Sequence, residues 1–228
     1  MIISGFNKLT LLDYPGHLAA IIFTSGCNYK CAYCQNSCLI NFDKESLISE
    51  EEVIDYLQKR NKMIEGLVIS GGEPTVQKDL VSFIKKVKSL GLKVKLDTNG
   101  SNPTILKKLI EKKLVDYIAM DIKNDFKKYD EVIKCKPNID NIKESIKLIK
   151  TSGIVHEFRT TLIKNNHNIE DIKEICEYLG CKEKYYLQNF KDSELVLDKS
   201  LRGYSIDELN NLENELLEKY PNVKVRGI

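Results

Sequence analysis

The stretch GLVISGGEPTVQKDLVSFIKKVKSLGLKVKLD, residues 66–97, decides the fold. It opens with a short strand-like run, GLVIS at 66–70, and closes with another, KVKLD at 93–97. Between them Leu80, Ile84, Val87 and Leu90 recur three and four residues apart, as one face of a helix does. A strand, a helix and a second strand within about thirty residues make a βαβ unit, whose strands lie parallel.

The same alternation extends in both directions. HLAAIIFT at 17–24, DYIAMDI at 116–122, VHEFRTTLI at 155–163 and KYYLQNF at 184–190 read as further strands. Ile142, Ile146 and Ile149 mark a helix face, as do Ile172, Ile175, Cys176 and Leu179. Ser49 with Glu52, and Ser205 with Glu208, have capping-box spacing; the second pair precedes Ile206, Leu209, Leu212 and Leu216. Six βα units with short connections predict an α/β fold with a parallel sheet covered on both faces. Six falls short of the eight of a closed barrel, so an open doubly wound sheet and a barrel-like one both remain. In either, ligands sit at the carboxyl ends of the strands. No Pro/Gly/Ser-rich linker divides the chain.

Of 228 residues, 42% are hydrophobic and 30% charged, which excludes a disordered chain. The formal charge is 35 − 33 = +2, giving no electrostatic case for nucleic acid or an acidic membrane. KKLIEKK at 107–113 reads as a solvated helix face. The longest apolar stretch, residues 18–23, is too short to span a bilayer, and MIISGFNKLTLLDYPG has no signal-peptide pattern. The expectation is a soluble, cytoplasmic protein. In that compartment disulfides do not persist, so seven cysteines point to a metal site or a reactive thiol. Cys27, Cys31, Cys34 and Cys38 fall within twelve residues, whereas Cys135, Cys176 and Cys181 are scattered.

Polar residues crowd the strand ends. The first strand runs into Gly26-Cys27-Asn28-Tyr29-Lys30-Cys31-Ala32-Tyr33-Cys34, and the second into Gly71-Gly72-Glu73-Pro74-Thr75. Next come Asp97-Thr98-Asn99-Gly100, Asp121-Ile122-Lys123, Arg159 amid apolar neighbours, and Gln188-Asn189. Their convergence on one rim is what a site in such a fold requires. The triplet C-x3-C-x2-C offers three soft thiolates, suited to zinc or an iron–sulfur cluster. Structural zinc would need a fourth ligand, which Cys38 could supply; a cluster on three cysteines leaves one iron open.

C-x3-C-x2-C with Tyr33 before its last cysteine resembles the motif of radical S-adenosylmethionine (SAM) enzymes. The resemblance implies a partial (β/α)6 TIM-like barrel, one domain over residues 1–228, and a [4Fe-4S] cluster on Cys27, Cys31 and Cys34. SAM would chelate the open iron, near Tyr33. Gly71-Gly72-Glu73-Pro74 matches the family's GGEP motif at the methionyl amine. Physically, the glycines allow close backbone approach to the cofactor, and Glu73 either accepts from the ammonium or orients the turn.

Within that family the chain is most similar to glycyl radical enzyme activating proteins, above all the anaerobic ribonucleoside-triphosphate reductase activating group. Asp13-Tyr14-Pro15-Gly16 resembles their D-x-P-G motif, and Asp13 would touch the partner. Asp97-Thr98-Asn99-Gly100 and Asp121-Ile122-Lys123 resemble motifs of pyruvate formate-lyase activases. By that likeness Asp97, Thr98 and Asp121 surround a monovalent cation, while Lys123 and Arg159 reach the cofactor. The segments 186–190, with Gln188 at the cofactor, and 223–227 fit the same subgroup. Gln35 departs from the histidine often found there, and Cys38 is extra. The implied reaction takes an electron from flavodoxin or ferredoxin, cleaves SAM reductively, and removes a glycine Cα hydrogen from a partner such as anaerobic ribonucleotide reductase. The alternatives are a radical enzyme acting on a small molecule or peptide, and a zinc-stabilised binding module. Cys38, Cys135, Cys176 and Cys181 read as bystanders, and no histidine has metal-ligand spacing.

Overall fold

A computed structural model describes residues 1–41 and 48–226. The order is β1 (Ile3–Thr10), β2 (Ala19–Thr24), α1 (Glu50–Arg60), β3 (Gly66–Gly71), α2 (Leu80–Ser89), β4 (Lys93–Thr98), α3 (Pro103–Glu111) and β5 (Tyr117–Asp121). There follow α4 (Tyr129–Ile133), α5 (Ile139–Thr151), β6 (Val155–Leu162), α6 (Ile169–Leu179), β7 (Tyr185–Asn189), α7 (Ile206–Leu217) and β8 (Val223–Arg226). Strands β2 to β7 are the six expected ones. They form a single sheet in chain order, parallel from β2 to β8, with β1 antiparallel to β2. The edge strands β1 and β8 are not among the expected ones. Each has a strand neighbour on one side only, so neither needs the apolar pattern of a central strand. The expected tail motif spans β8 except for Gly227, which lies outside the described residues.

Alternation within the strands separates two environments. Val94 and Leu96 of β4, Ile118 and Met120 of β5, and Phe158 and Leu162 of β6 point outward and pack with Leu80, Ile84, Leu106, Ile146 and Ile175 from the helices. The intervening residues face inward. Ser70, Asp97, Asp121, Arg159 and Gln188, one from each of β3 to β7, line one cleft at the carboxyl ends of the strands. Tyr117, Glu157, Tyr186 and Arg226 line a second depression at the opposite ends. One sheet can gather five strands round a common cleft only by curving, which settles the choice in favour of a partial barrel. Helices cover only the outer face. The inner face closes on itself around a small cluster of Tyr14, Ala19, Ile21, Val68, Tyr117 and Ala119. Each fully buried Leu or Ile outside contributes about 1.5–3 kcal/mol, so the outer layer carries most of the stability.

The capping signals act as expected. Ser49 Oγ accepts from the Glu52 amide at 3.0 Å, and Ser205 and Glu208 form a reciprocal capping box. Among the described residues no helix is long and apolar enough to cross a membrane.

Candidate functional site

Two backbone segments define the cleft, and glycines let them meet. Gly71 has φ +109, a conformation that favours glycine. A Cβ on Gly72 would stand 2.2 Å from the Gly26 carbonyl oxygen. The close approach expected of this pair is therefore made to the cysteine loop itself. Gly72 N–H donates to Thr24 O at 2.8 Å and Glu73 N–H to Gly26 O at 2.9 Å. The loop is also tied through Gly26 N–H to Leu39 O (2.7 Å), Cys27 N–H to Ile40 O (3.0 Å) and Lys30 N–H to Ile133 O (3.0 Å). Across its outer side, residues 191–198 form a strap. Asp198 N–H donates to Ala32 O at 3.1 Å, Gln35 Nε2 to Lys191 O at 2.9 Å, and Ser37 Oγ to Leu195 O.

Cys27, Cys31 and Cys34 all line the resulting cleft, which encloses about 250 Å³. Burial pushes the Cys27 thiol up to about 12 and the Cys31 thiol to about 11, with the Lys123 ammonium pulling the other way. Three soft thiol donors on one cleft suit zinc or an iron–sulfur group. The Tyr29 hydroxyl is buried without a hydrogen-bond partner and lines the cleft, where Tyr33 lies against the Lys123 ammonium.

Glu73, only 1% exposed, holds the turn together. Its Oε1 accepts from Thr75 N–H (3.1 Å), Thr75 Oγ1 (2.5 Å) and Thr98 Oγ1 (2.7 Å), and its Oε2 from Asn99 N–H (2.7 Å). Burial nevertheless raises its carboxyl above the usual range. Of the two roles the sequence left open, orienting the turn is built in, and Oε2 keeps a lone pair for a further donor. Thr98 thus faces Glu73, and its oxygen also accepts from Gly100 N–H at 3.1 Å. Asn99 Nδ2 reaches Asn28 Oδ1 at 3.0 Å, which fastens the end of β4 to the cysteine loop.

A chain of alternating charges crosses the cleft floor. Lys95 Nζ lies 2.5 Å from Asp97 Oδ1, and Ser70 Oγ donates to Asp97 Oδ2 at 3.0 Å. Arg159 approaches Asp97 at 3.6 Å and donates through Nε to Asp121 Oδ1 at 2.8 Å. Lys123 Nζ donates to Asp121 Oδ2 at 3.0 Å. Burial would raise the Asp121 carboxyl, but Arg159 and Lys123 outweigh it and hold the group far below the carboxylate range. Asp121, the Tyr33 phenol and the Cys31 thiol in turn hold Lys123 protonated against its own burial. His167 fixes the Lys123 backbone. Its Nδ1 accepts from Ile163 N–H at 3.1 Å, leaving Nε2–H to donate to Lys123 O at 2.8 Å. Burial lowers this imidazole below its ordinary value.

Of the residues singled out by sequence, the cleft collects Cys27, Cys31, Tyr33, Cys34, Gly71, Gly72, Glu73, Asp97, Thr98, Asp121, Lys123, Arg159 and Gln188. Pro74 does not line it; buried, it opens the 3-10 turn Pro74–Val76. Asp13 lies away from it, where Thr10 Oγ1 donates to Asp13 Oδ2 at 2.5 Å. Its neighbour Tyr14 packs on Gly66 and Tyr117, the first residues of β3 and β5, so Asp13 sits at the opposite mouth. Cys38 is exposed outside the cleft, Cys176 is buried in the core, and Cys181 is exposed. The half-buried Cys135 lies under the cysteine loop, 3.7 Å from Asn28 O. Ser70 and Asn99, polar residues of the strand-end stretches, also line the cleft, whereas sequence reading gives Lys95 and His167 no role. For Lys95 the available signal was its place two residues before Asp97, on the same face of β4.

The profile of the Radical SAM superfamily matches residues 21–179. Over 237 aligned positions, 100% of this chain and 96% of the relative, the sequence is 36% identical to a Methanocaldococcus jannaschii protein provisionally named a glycyl-radical enzyme activating enzyme. It is 30% identical to GTP 3',8-cyclase of Helicobacter pylori over 189 positions, 78% of this chain and 54% of the cyclase. Among solved structures, Streptococcus suis SuiB bound to S-adenosylmethionine superimposes with a TM-score of 0.72 at 19% identity, covering 91% of this chain and 50% of SuiB. The chain thus spans about half the length of that structure.

Proposed function

The chain belongs to the Radical SAM superfamily, and from that premise we propose that it is a glycyl radical enzyme activase. It would use SAM to abstract a glycine Cα hydrogen in a partner enzyme. The carrying observation is the full-length likeness to the Methanocaldococcus jannaschii protein, joined to a cleft whose donors suit both cofactors. Cys27, Cys31 and Cys34 would hold a [4Fe-4S] cluster. When bound, it supplies one-electron reductive cleavage of SAM.

The protein's own work is binding, orientation and exclusion of water. Oε2 of Glu73 offers the methionyl ammonium an acceptor. Lys123 and Arg159 offer the carboxylate positive charge that their carboxylate partners do not fully cancel. Tyr33 packs 5.7 Å from the Lys123 ammonium and closes the side next to the last cysteine. The strap at 191–198 shields the loop from solvent. The whole chain, residues 1–228, would act as one domain, with flavodoxin or ferredoxin as electron donor and anaerobic ribonucleotide reductase as a candidate partner.

The test is anaerobic incubation of the reconstituted protein with reductant, SAM and each glycyl radical enzyme of the same cell. A glycyl radical doublet in electron paramagnetic resonance is expected, and Cys31→Ala should abolish it together with the bound iron. No doublet with any of these enzymes refutes the activase reading. Substrate-dependent 5′-deoxyadenosine without a protein radical would instead support action on a small molecule, the reading that the cyclase likeness favours.

A further inference from the structure

We propose that Lys95 is a built-in cation that takes the place of an alkali ion between the carboxylates at the ends of β4 and β5, making the SAM site independent of sodium and potassium. The inference rests on the cleft being a SAM site.

A cation site needs carboxylates that no other cation already claims, and each aspartate expected to supply it already faces two cationic side chains. Asp97 accepts from Lys95 Nζ on Oδ1 and from Ser70 Oγ on Oδ2, with Arg159 3.6 Å away. Both oxygens of Asp121 are occupied, one by Arg159 Nε and the other by Lys123 Nζ. The Thr98 oxygen gives its proton to Glu73 and accepts from Gly100 N–H. The residues therefore do not fit the monovalent ion that the family likeness implied.

Charge argues the same way. Lys95, Arg159 and Lys123 carry three positive charges against two on Asp97 and Asp121, leaving these five side chains at +1. A further cation would enter against that surplus, whereas the carboxylate of an amino acid would be drawn to it. Lys95 is also buried for this role. It is 2% exposed on the inner face of β4, with its ammonium 5.8 Å from the centre of the Tyr117 ring. A lysine kept inside a barrel is costly unless paired, and its ion-pair partner is the acid at the cleft rim. Lys95 touches no cofactor in this scheme; it is a positioning residue that neutralises Asp97 and frees Arg159 to face Asp121 and the ligand.

The experiment compares the chain with Lys95→Met and Lys95→Arg in sodium, potassium and N-methyl-D-glucamine chloride at equal ionic strength. SAM affinity of the cluster-bound protein is read by calorimetry, and the melting temperature is read on cluster-free protein. The unaltered chain should show affinities within about twofold in all three salts, since its cation is covalently attached. Lys95→Met should bind SAM about tenfold more weakly in N-methyl-D-glucamine than in sodium or potassium, because the exposed Asp97 then recruits an alkali ion. Its melting temperature should rise with alkali ions, and Lys95→Arg should behave like the parent. A parent whose affinity rises about tenfold with an alkali ion overturns the inference without any variant. So does a Lys95→Met protein indifferent to the salt in both measurements. Failure of SAM to bind under every condition would instead overturn the proposed function, and the melting comparison would still decide the role of Lys95.

Discussion

Replacing Gly72 by alanine tests whether the junction between the GGE turn and the cysteine loop makes the site. The added Cβ would lie 2.2 Å from the Gly26 oxygen and 2.7 Å from its carbonyl carbon. Ordinary contact needs roughly 1 Å more, and both atoms in the way are backbone, so the two segments must separate. The hydrogen bonds that join them, Gly72 to Thr24 at 2.8 Å and Glu73 to Gly26 at 2.9 Å, then lengthen past usefulness. Leaving two buried pairs unmade costs about 2–5 kcal/mol, against a gain of about 0.4–1 kcal/mol from a stiffer unfolded chain. The net loss, about 1–5 kcal/mol, should lower the melting temperature by about 2–20 °C in a chain of this size. The more telling effect is on the site, because Cys27 follows Gly26 directly and its thiol moves with the loop. Thermal melts, iron and acid-labile sulfide per chain after anaerobic reconstitution, and SAM binding should all be measured. Gly91→Ala is the control: φ there is +80 and nothing lies within 4 Å, so it strains the backbone without touching the cleft. Gly72→Ala should lose both stability and iron, Gly91→Ala stability alone. A Gly72→Ala protein with parental melting and full iron content would refute the reasoning.

Arg159→Met leaves Asp121 with Lys123 alone and removes one of the cations facing Asp97, and should cost about 3 kcal/mol. Adding Asp121→Asn should recover part of that loss, and strict additivity in urea melts would show that the two are not coupled. His167 is held neutral, its pKa lowered by burial, so its contribution is full above the unfolded value of about 6.5 and is lost as pH falls below it. Stability should drop by up to about 1.4 kcal/mol per pH unit there, and His167→Gln should flatten that limb; superimposable urea midpoints from pH 5 to 7 would contradict it. Stripping the cluster should leave far-ultraviolet circular dichroism and cooperative melting intact, because the cysteine loop is tied by backbone bonds to Leu39, Ile40, Ile133 and the GGE turn. A chain that unfolds on chelation would instead behave as a zinc-stabilised module.

The central strands were legible because each buries an outward face against helices, which demands the apolar runs that a sequence displays. β1 and β8 were not, since an edge strand has only one paired side and tolerates Asn7, Lys8 and Lys224. The strand-end motifs announced the cleft because their glycines and acids have no purpose in a core. Lys95 stayed hidden for the opposite reason. Lys-Val-Lys-Leu-Asp alternates as a half-solvated strand does, and nothing local says that its polar face turns into a barrel rather than toward water. Asp13, expected to touch a partner, belongs to a motif that sits just before β2 in sequence. The start of β2 is at the mouth opposite the cysteines, which follow its end. His167 acts through a carbonyl 44 residues away, a relation that spacing cannot carry.

What the inner residues leave unspent limits what the cleft can hold. Most of its polar atoms are satisfied internally: the Glu73 carboxylate by Thr75, Thr98 and Asn99, and the two rim aspartates by Lys95, Arg159 and Lys123. What remains is three thiols, the Tyr29 hydroxyl, a lone pair on Glu73 and, at the rim aspartates, three cations against two carboxylates. A ligand that completes this set needs a thiophilic metal group, an ammonium and a carboxylate within a few ångströms of one another. A zinc ion would answer only the thiols and leave the excess cation at the rim aspartates without a partner. A nucleotide triphosphate alone would answer the charge but bring no ammonium for Glu73. An amino acid joined to a metal cluster answers the thiols, the positive charge and Glu73 together, which supports the proposal, drawn from the family likeness, that the cleft takes SAM on its cluster.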